Sequence, residues 1–150
     1  MCAASESELR SSDAEVYHAL CAYTLSHADP VFLHQYVVDA HCIQNASAET
    51  KGIAMSFALI GLYLAVEKNI SGKQVQRFHM QMARVRKPWP RFTPPPAPAS
   101  ITASDVMAVP AGPLRDQMIR SWTQAVWNSC SAEVQAEVRE LTQSELGIEA

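Results

Sequence analysis

The sequence predicts an all-α fold: a compact bundle of about six helices around a buried central helix, with a proline-rich strap. Three observations carry this. Apolar residues recur at three- and four-residue spacing in most segments. One segment, 53–66, is apolar on every side and carries no charge. No stretch shows the strict alternation of a half-buried strand. A chain of 150 residues suits one domain. At that length roughly 70% of the unfolded surface is hidden on folding, enough for a core without disulfides.

Residues 1–12 are polar and acidic and read as a disordered lead-in, ahead of a single helical domain over 13–146. Ser12 or Asp13 is placed to cap a first helix that runs to about His27, and Asp29-Pro30 interrupts it. The second helix, PVFLHQYVVDAHCIQNA, puts Leu33, Tyr36, Val37, Ala40 and Ile43 on one face. The third, IAMSFALIGLYLAV, belongs at the centre of the bundle and is too short to span a bilayer. Ser71 is placed to cap a fourth helix, whose Val75, Phe78, Met82 and Val85 share a face.

Six of the nine prolines fall between Pro88 and Pro98. They rule out helix or sheet and favour an extended strap over 87–101, which Trp89 and Phe92 hold against the bundle. Thr102 or Ser104 caps a short turn. A long helix follows from Pro113 to about Asn128, with Trp122 in its apolar side. Ser131 caps a last helix ending before Gly147, whose stripe of Val134, Val138 and Leu141 is narrow enough to suit peripheral packing or a partner.

Net charge is −3, which argues against nucleic-acid binding through a basic field. The charged fraction of 18% is low against a typical ~25%, which leaves surface for a homodimer. The four cysteines, Cys2, Cys21, Cys42 and Cys130, form no CxxC pair. The N-terminus lacks the basic and apolar regions of a signal peptide. Reduced thiols in a cytoplasmic protein, away from membranes, are the expectation.

Chemistry centres on the five histidines. His18 shares a face with Ala14, Cys21, Ala22 and Leu25; His34 and His41 border the apolar stripe of the second helix; His79 lies between Val75 and Met82. Imidazole is the commonest metal ligand, and Asp39 is close in sequence. His34 and His41 stand about 10.5 Å apart along their helix, so one ion cannot take both. The expected metal site therefore draws on His18, His34 and His79 from three helices, with Asp39 as ligand or orienting carboxylate. A divalent transition metal is the expected cofactor. Tyr17, Gln44 and His41 are candidates for holding a small-molecule substrate. A cysteine–histidine dyad from Cys21 or Cys42 is a weaker candidate, and no nucleophile-elbow, phosphate-loop or dinucleotide motif is present. A non-catalytic interaction module and a small-molecule binder are the alternatives.

The strings HQYVVDAHCIQNA, KGIAMSFALIGLYLAVEK, SGKQVQRFHMQMA, ITASDV, AGP and WTQAVW, in that order, resemble a family of small helical bacterial proteins classed as a domain of unknown function. The resemblance covers roughly residues 15–128. It implies that Tyr17 and His18, His34 with Asp39 and Ala40, and His79 matter to the family. It implies no substrate or reaction.

Overall fold

The computed structural model describes residues 6–26 and 28–149, with backbone alone for residues 6–12. His27 and the first five residues of the expected lead-in lie outside the described residues. Seven helices follow one another: α1 (Glu6–Leu25), α2 (Leu33–Gln44), α3 (Gly52–Glu67), α4 (Gly72–Ala83), α5 (Ala103–Ala108), α6 (Pro113–Ser129) and α7 (Ala132–Leu146). No strand occurs among the described residues. Nor is any of their helices long and apolar enough to cross a membrane.

The central position of α3 follows from its composition. Met55, Ser56 and the run from Ala58 to Leu64 are buried, and a helix that is apolar all round has no face to give to water. It packs against α2, α4, α6 and α7. The second helix is equally enclosed, lying against α1, α3, α4 and α6. The core between them includes Leu20, Val37, Ile43, Leu62, Ile119 and Trp122, all with no exposed surface.

Caps fix most of the boundaries. Ser71 and Ser131 each accept from a backbone N–H in the first turn of the helix they precede. Thr102 and Asp105 form a reciprocal capping box on α5. That box turns the expected short turn into a seventh helix. Asp29 accepts from the Val31 and Leu33 amides and so holds the entry to α2. Gly147, at φ 69, ends α7 in the left-handed conformation.

Three expectations are corrected. The first helix begins at Glu6, so Ser12 and Asp13 lie within it rather than capping it. The fourth ends at Ala83, so Val85 lies beyond it rather than on its face. The last helix is not peripheral: Val134, Val138 and Thr142 are buried, and α7 packs on α3. Arg139 adds a two-bond ion pair to Glu67 of α3.

The proline-rich segment lies on the bundle through Trp89 and Phe92, which are 9% and 8% exposed. Trp89 meets Phe57 edge to face, and Ser56 donates to the Pro90 carbonyl. At the other end of the strap, Gln44 donates to the Ile101 carbonyl at 2.9 Å and accepts from the Trp122 indole at 3.0 Å. One amide thus ties α2, α6 and the strap together. Gln44→Ala leaves a buried indole N–H without a partner, and should cost roughly 1–3 kcal/mol of folding free energy in urea denaturation. A change within experimental error would show that solvent satisfies both groups equally well.

Candidate functional site

The second helix is apolar on its buried side except for one line of residues. Gln35, Asp39 and Cys42 fall at i, i+4 and i+7, one above another on a helix face. Asp39 is 3% exposed and is the one carboxyl among the buried polar residues described. The face opposite it belongs to Gly61, in the middle of α3. A β-carbon on Gly61 would overlap Asp39 Oδ2, stand 2.7 Å from its Cγ, and stand 3.2 Å from His79 Nε2. The missing side chain is therefore what lets the Asp39 carboxyl lie against the α3 backbone. The fourth helix brings His79 to the same place.

Gln35 links the two ionisable groups. Its amide nitrogen lies 3.1 Å from Asp39 Oδ1 and 3.2 Å from His79 Nδ1. The remaining atoms of both groups, Asp39 Oδ2 and His79 Nε2, are buried and make no bond of good hydrogen-bond geometry, although the Phe57 carbonyl lies close enough to the imidazole to favour its charged form. A buried polar atom left unpaired costs about 1–3 kcal/mol. Two of them at one point call for an explanation. Tyr63 Oη, a third such atom, belongs to a ring tilted against Trp127, away from this pair's contacts. His79 as a whole is half-buried and its ring lies beside Phe57, while its Nε2 is buried.

The two groups are pushed in opposite directions by the same cause. Burial raises the Asp39 carboxyl well above the usual range, with the Gln35 bond opposing. Burial lowers the His79 imidazole, with the Phe57 carbonyl opposing. Burial therefore favours the protonated acid and the unprotonated base in this pair. Gln35 donates to Asp39 Oδ1, which leaves Oδ2 for a carboxyl proton; in the tautomer in which its second N–H donates to His79 Nδ1, the imidazole proton falls on Nε2. Both then point donors at the Gly61 backbone region.

Around this pair lie Tyr17, Cys21 and Cys42. Burial raises the Tyr17 phenol pKa, as do its bond with Cys21 and the nearby Cys42 and Asp39. Burial pushes the Cys42 thiol up to about 11, and it also raises Cys21. Neither sulfur is a thiolate at neutral pH, so the cysteine–histidine dyad lacks its nucleophile.

The other expected site residues are spread out. His18 is exposed, and so are Ala14, Ala22 and Leu25 on its face; the inward side of α1 is built on Leu20 and Thr24 instead. His34 Nδ1 meets Thr24 Oγ1 at 3.1 Å and is tied to α1. His41 stacks on Tyr17, with ring centroids 3.7 Å apart and planes 10° off parallel. Gln44 has its amide engaged by Ile101 and Trp122. Among the described residues no three His, Cys, Asp or Glu side chains gather where they could hold one metal ion. The expected set of His18, His34, His79 and Asp39 is thus not assembled; of its members, Asp39 and His79 meet.

Two partners of that meeting were not legible as site residues. Gln35 and Gly61 look like an ordinary surface amide and an ordinary small core residue. The available signals were an i, i+4 pair of polar residues on an apolar helix, and a glycine in mid-helix, where it costs about 1 kcal/mol against alanine.

Fold and site together define a small helical protein with a buried carboxyl–imidazole pair held by a glutamine. Residues 1–131 match the model of a family of unknown function, DUF5946, and the chain belongs to that family. No curated protein and no solved structure matches it.

The opposite shifts give opposite pH dependences. An unfolded carboxyl loses its proton near pH 4, whereas folded Asp39 keeps it to higher pH. Stability therefore falls as pH rises from about 4 toward the folded value. His79, with His34 and His41, works in the other window: stability falls as pH drops below about 6.5, because the unfolded imidazoles take up protons first. Asp39→Asn removes the first slope alone. In urea denaturation from about pH 5 to 8, the variant should gain on the wild type as pH rises. A gap that stays constant with pH would mean that Asp39 is not held protonated.

Proposed function

We propose that this chain binds a small molecule that places an acceptor oxygen, of a carbonyl or carboxylate, between Asp39 and His79. The observation supporting the reading is the convergence of two buried, unpartnered polar atoms beside Gly61. Asp39 Oδ2 has no partner and His79 Nε2 has none of good geometry, and a single oxygen can accept from both. A neutral acid and a neutral base held together are also the equipment for moving a proton to or from such a ligand. In that role Asp39 donates from Oδ2, His79 orients the ligand through Nε2, and Gln35 fixes both. Tyr17, stacked on His41, borders the approach from α1.

A second reading has one specific support. An imidazole nitrogen and a carboxyl oxygen are both ligand types for a divalent transition metal, and here both lack protein partners. Metal binding would require Asp39 ionised and the His79 proton moved to Nδ1, where it faces the Gln35 amide nitrogen, so the glutamine would have to keep its bond to Asp39 and give up the one to His79. His79 and Asp39 would then be the protein ligands, and other positions would go to the bound molecule or solvent. His18 and His34 take no part in this version.

One experiment addresses both readings. The wild type, Asp39→Asn and His79→Phe are screened by ligand-observed NMR against a mixture of small amides and ketones, and by thermal shift with zinc chloride. Saturable carbonyl binding that both variants lose supports the first reading. Zinc stabilisation lost in both variants supports the second. If nothing binds, or if the variants bind equally, the pair has a structural role and both readings fail.

A further inference from the structure

We infer that the cleft at Arg120, between α2, α6 and the α3–α4 turn, is a binding site for a small oxyanion, a carboxylate or phosphate carried on a short apolar body. It stands apart from the Asp39–His79 pair and does not depend on it. Two hollows of about 160 and 280 Å³ share Tyr36, Asn69 and Arg120 as walls. That space exceeds the ≈ 30 Å³ a single water occupies, so the cleft has room for a ligand group.

Arg120 is the group that calls for an anion. The ion pairs among the described residues are Lys87–Glu145 and Arg139–Glu67, so Arg120 has no carboxylate partner there. Asp116, one turn earlier on α6, is engaged by the Tyr23 hydroxyl at 2.6 Å instead. Asp29 also lies within electrostatic reach of Tyr36, but both of its oxygens accept backbone N–H groups from Val31 and Leu33.

The guanidinium is also aimed. It sits 5.9 Å from the centre of the Tyr36 ring. Tyr36 is 4% exposed, and its hydroxyl is fixed by donating to the Ile70 carbonyl at 2.6 Å. Burial raises the Tyr36 phenol pKa, and the charge and hydrogen bonding of Arg120 oppose that rise. A planar fork held over a buried ring loses little freedom when it takes an oxyanion through two parallel bonds.

The walls suit the same ligand. Ser71 accepts from the Gln74 amide, which leaves its hydroxyl proton to donate into the larger hollow. Ala65 and Val66 supply an apolar floor on the α3 side. An anionic head on Arg120 and Ser71, with a short carbon body on Ala65 and Val66, uses every side of the cleft.

The test titrates the full chain with sodium phosphate and, separately, sodium acetate at constant ionic strength, read by amide and arginine-side-chain NMR. The expected result is saturable shifts centred on Asn69, Ser71 and Arg120 with at least one probe. Arg120→Gln should weaken binding by about tenfold or more, and Arg120→Lys by less. Saturation by phosphate alone assigns a phosphate ligand, and by acetate alone a carboxylate. No saturable shift, shifts centred elsewhere, or unchanged affinity in a folded Arg120→Gln variant would overturn the proposal. If that variant does not fold, the wild-type shift map decides by the same criterion.

Discussion

Close approach of α2 to α3 at Gly61 is the constraint on which the rest of the site depends. The carboxyl of Asp39 fills the space that any side chain at 61 would take. Once there, it cannot reach water, and burial decides its protonation. An ionised carboxylate in such surroundings would need a cation or several N–H donors, and Gln35 supplies one. The proton is the remaining way to neutralise it. His79 is brought to the same point by α4 and is subject to the same burial, with the opposite effect on its charge.

This arrangement costs stability and is carried by the surrounding core. The apolar mass of α3 and α2, closed by α6 and α7, provides burial on a scale that tolerates two orphaned polar atoms. The polar ties that do find partners are structural: Gln44 with Trp122 and Ile101, Glu67 with Trp127 and Arg139, and Tyr36 with Ile70. What separates the candidate site from the scaffold is that two unsatisfied buried atoms meet there, whereas Tyr63 Oη stands alone beside Trp127.

Much of the scaffold could be read from the residues. The absence of any charge between Ile53 and Val66 placed α3 at the centre, and Ser71 and Ser131 marked helix starts by their capping chemistry. The fifth helix was missed because six residues give too little periodicity to tell a helix from a turn. The early start of α1 was missed because a polar, serine-rich stretch carries no apolar stripe. In the site, Asp39 and His79 stood out singly, but their meeting spans forty residues and depends on how α2, α3 and α4 cross. His18 misled because Ala14, Ala22 and Leu25 make an apolar stripe that faces solvent, while the inner face of α1 rests on Leu20.

The central claim is that burial keeps Asp39 neutral beside a neutral His79. Carbon-13 NMR of the aspartate side-chain carboxyls, assigned at Asp39 and followed from about pH 3 to 8, reads this directly. The account predicts a carboxyl signal in the protonated position at neutral pH, with its titration displaced well above the ordinary value of about 4. A resonance that titrates near 4 and is a carboxylate by pH 6 would contradict it.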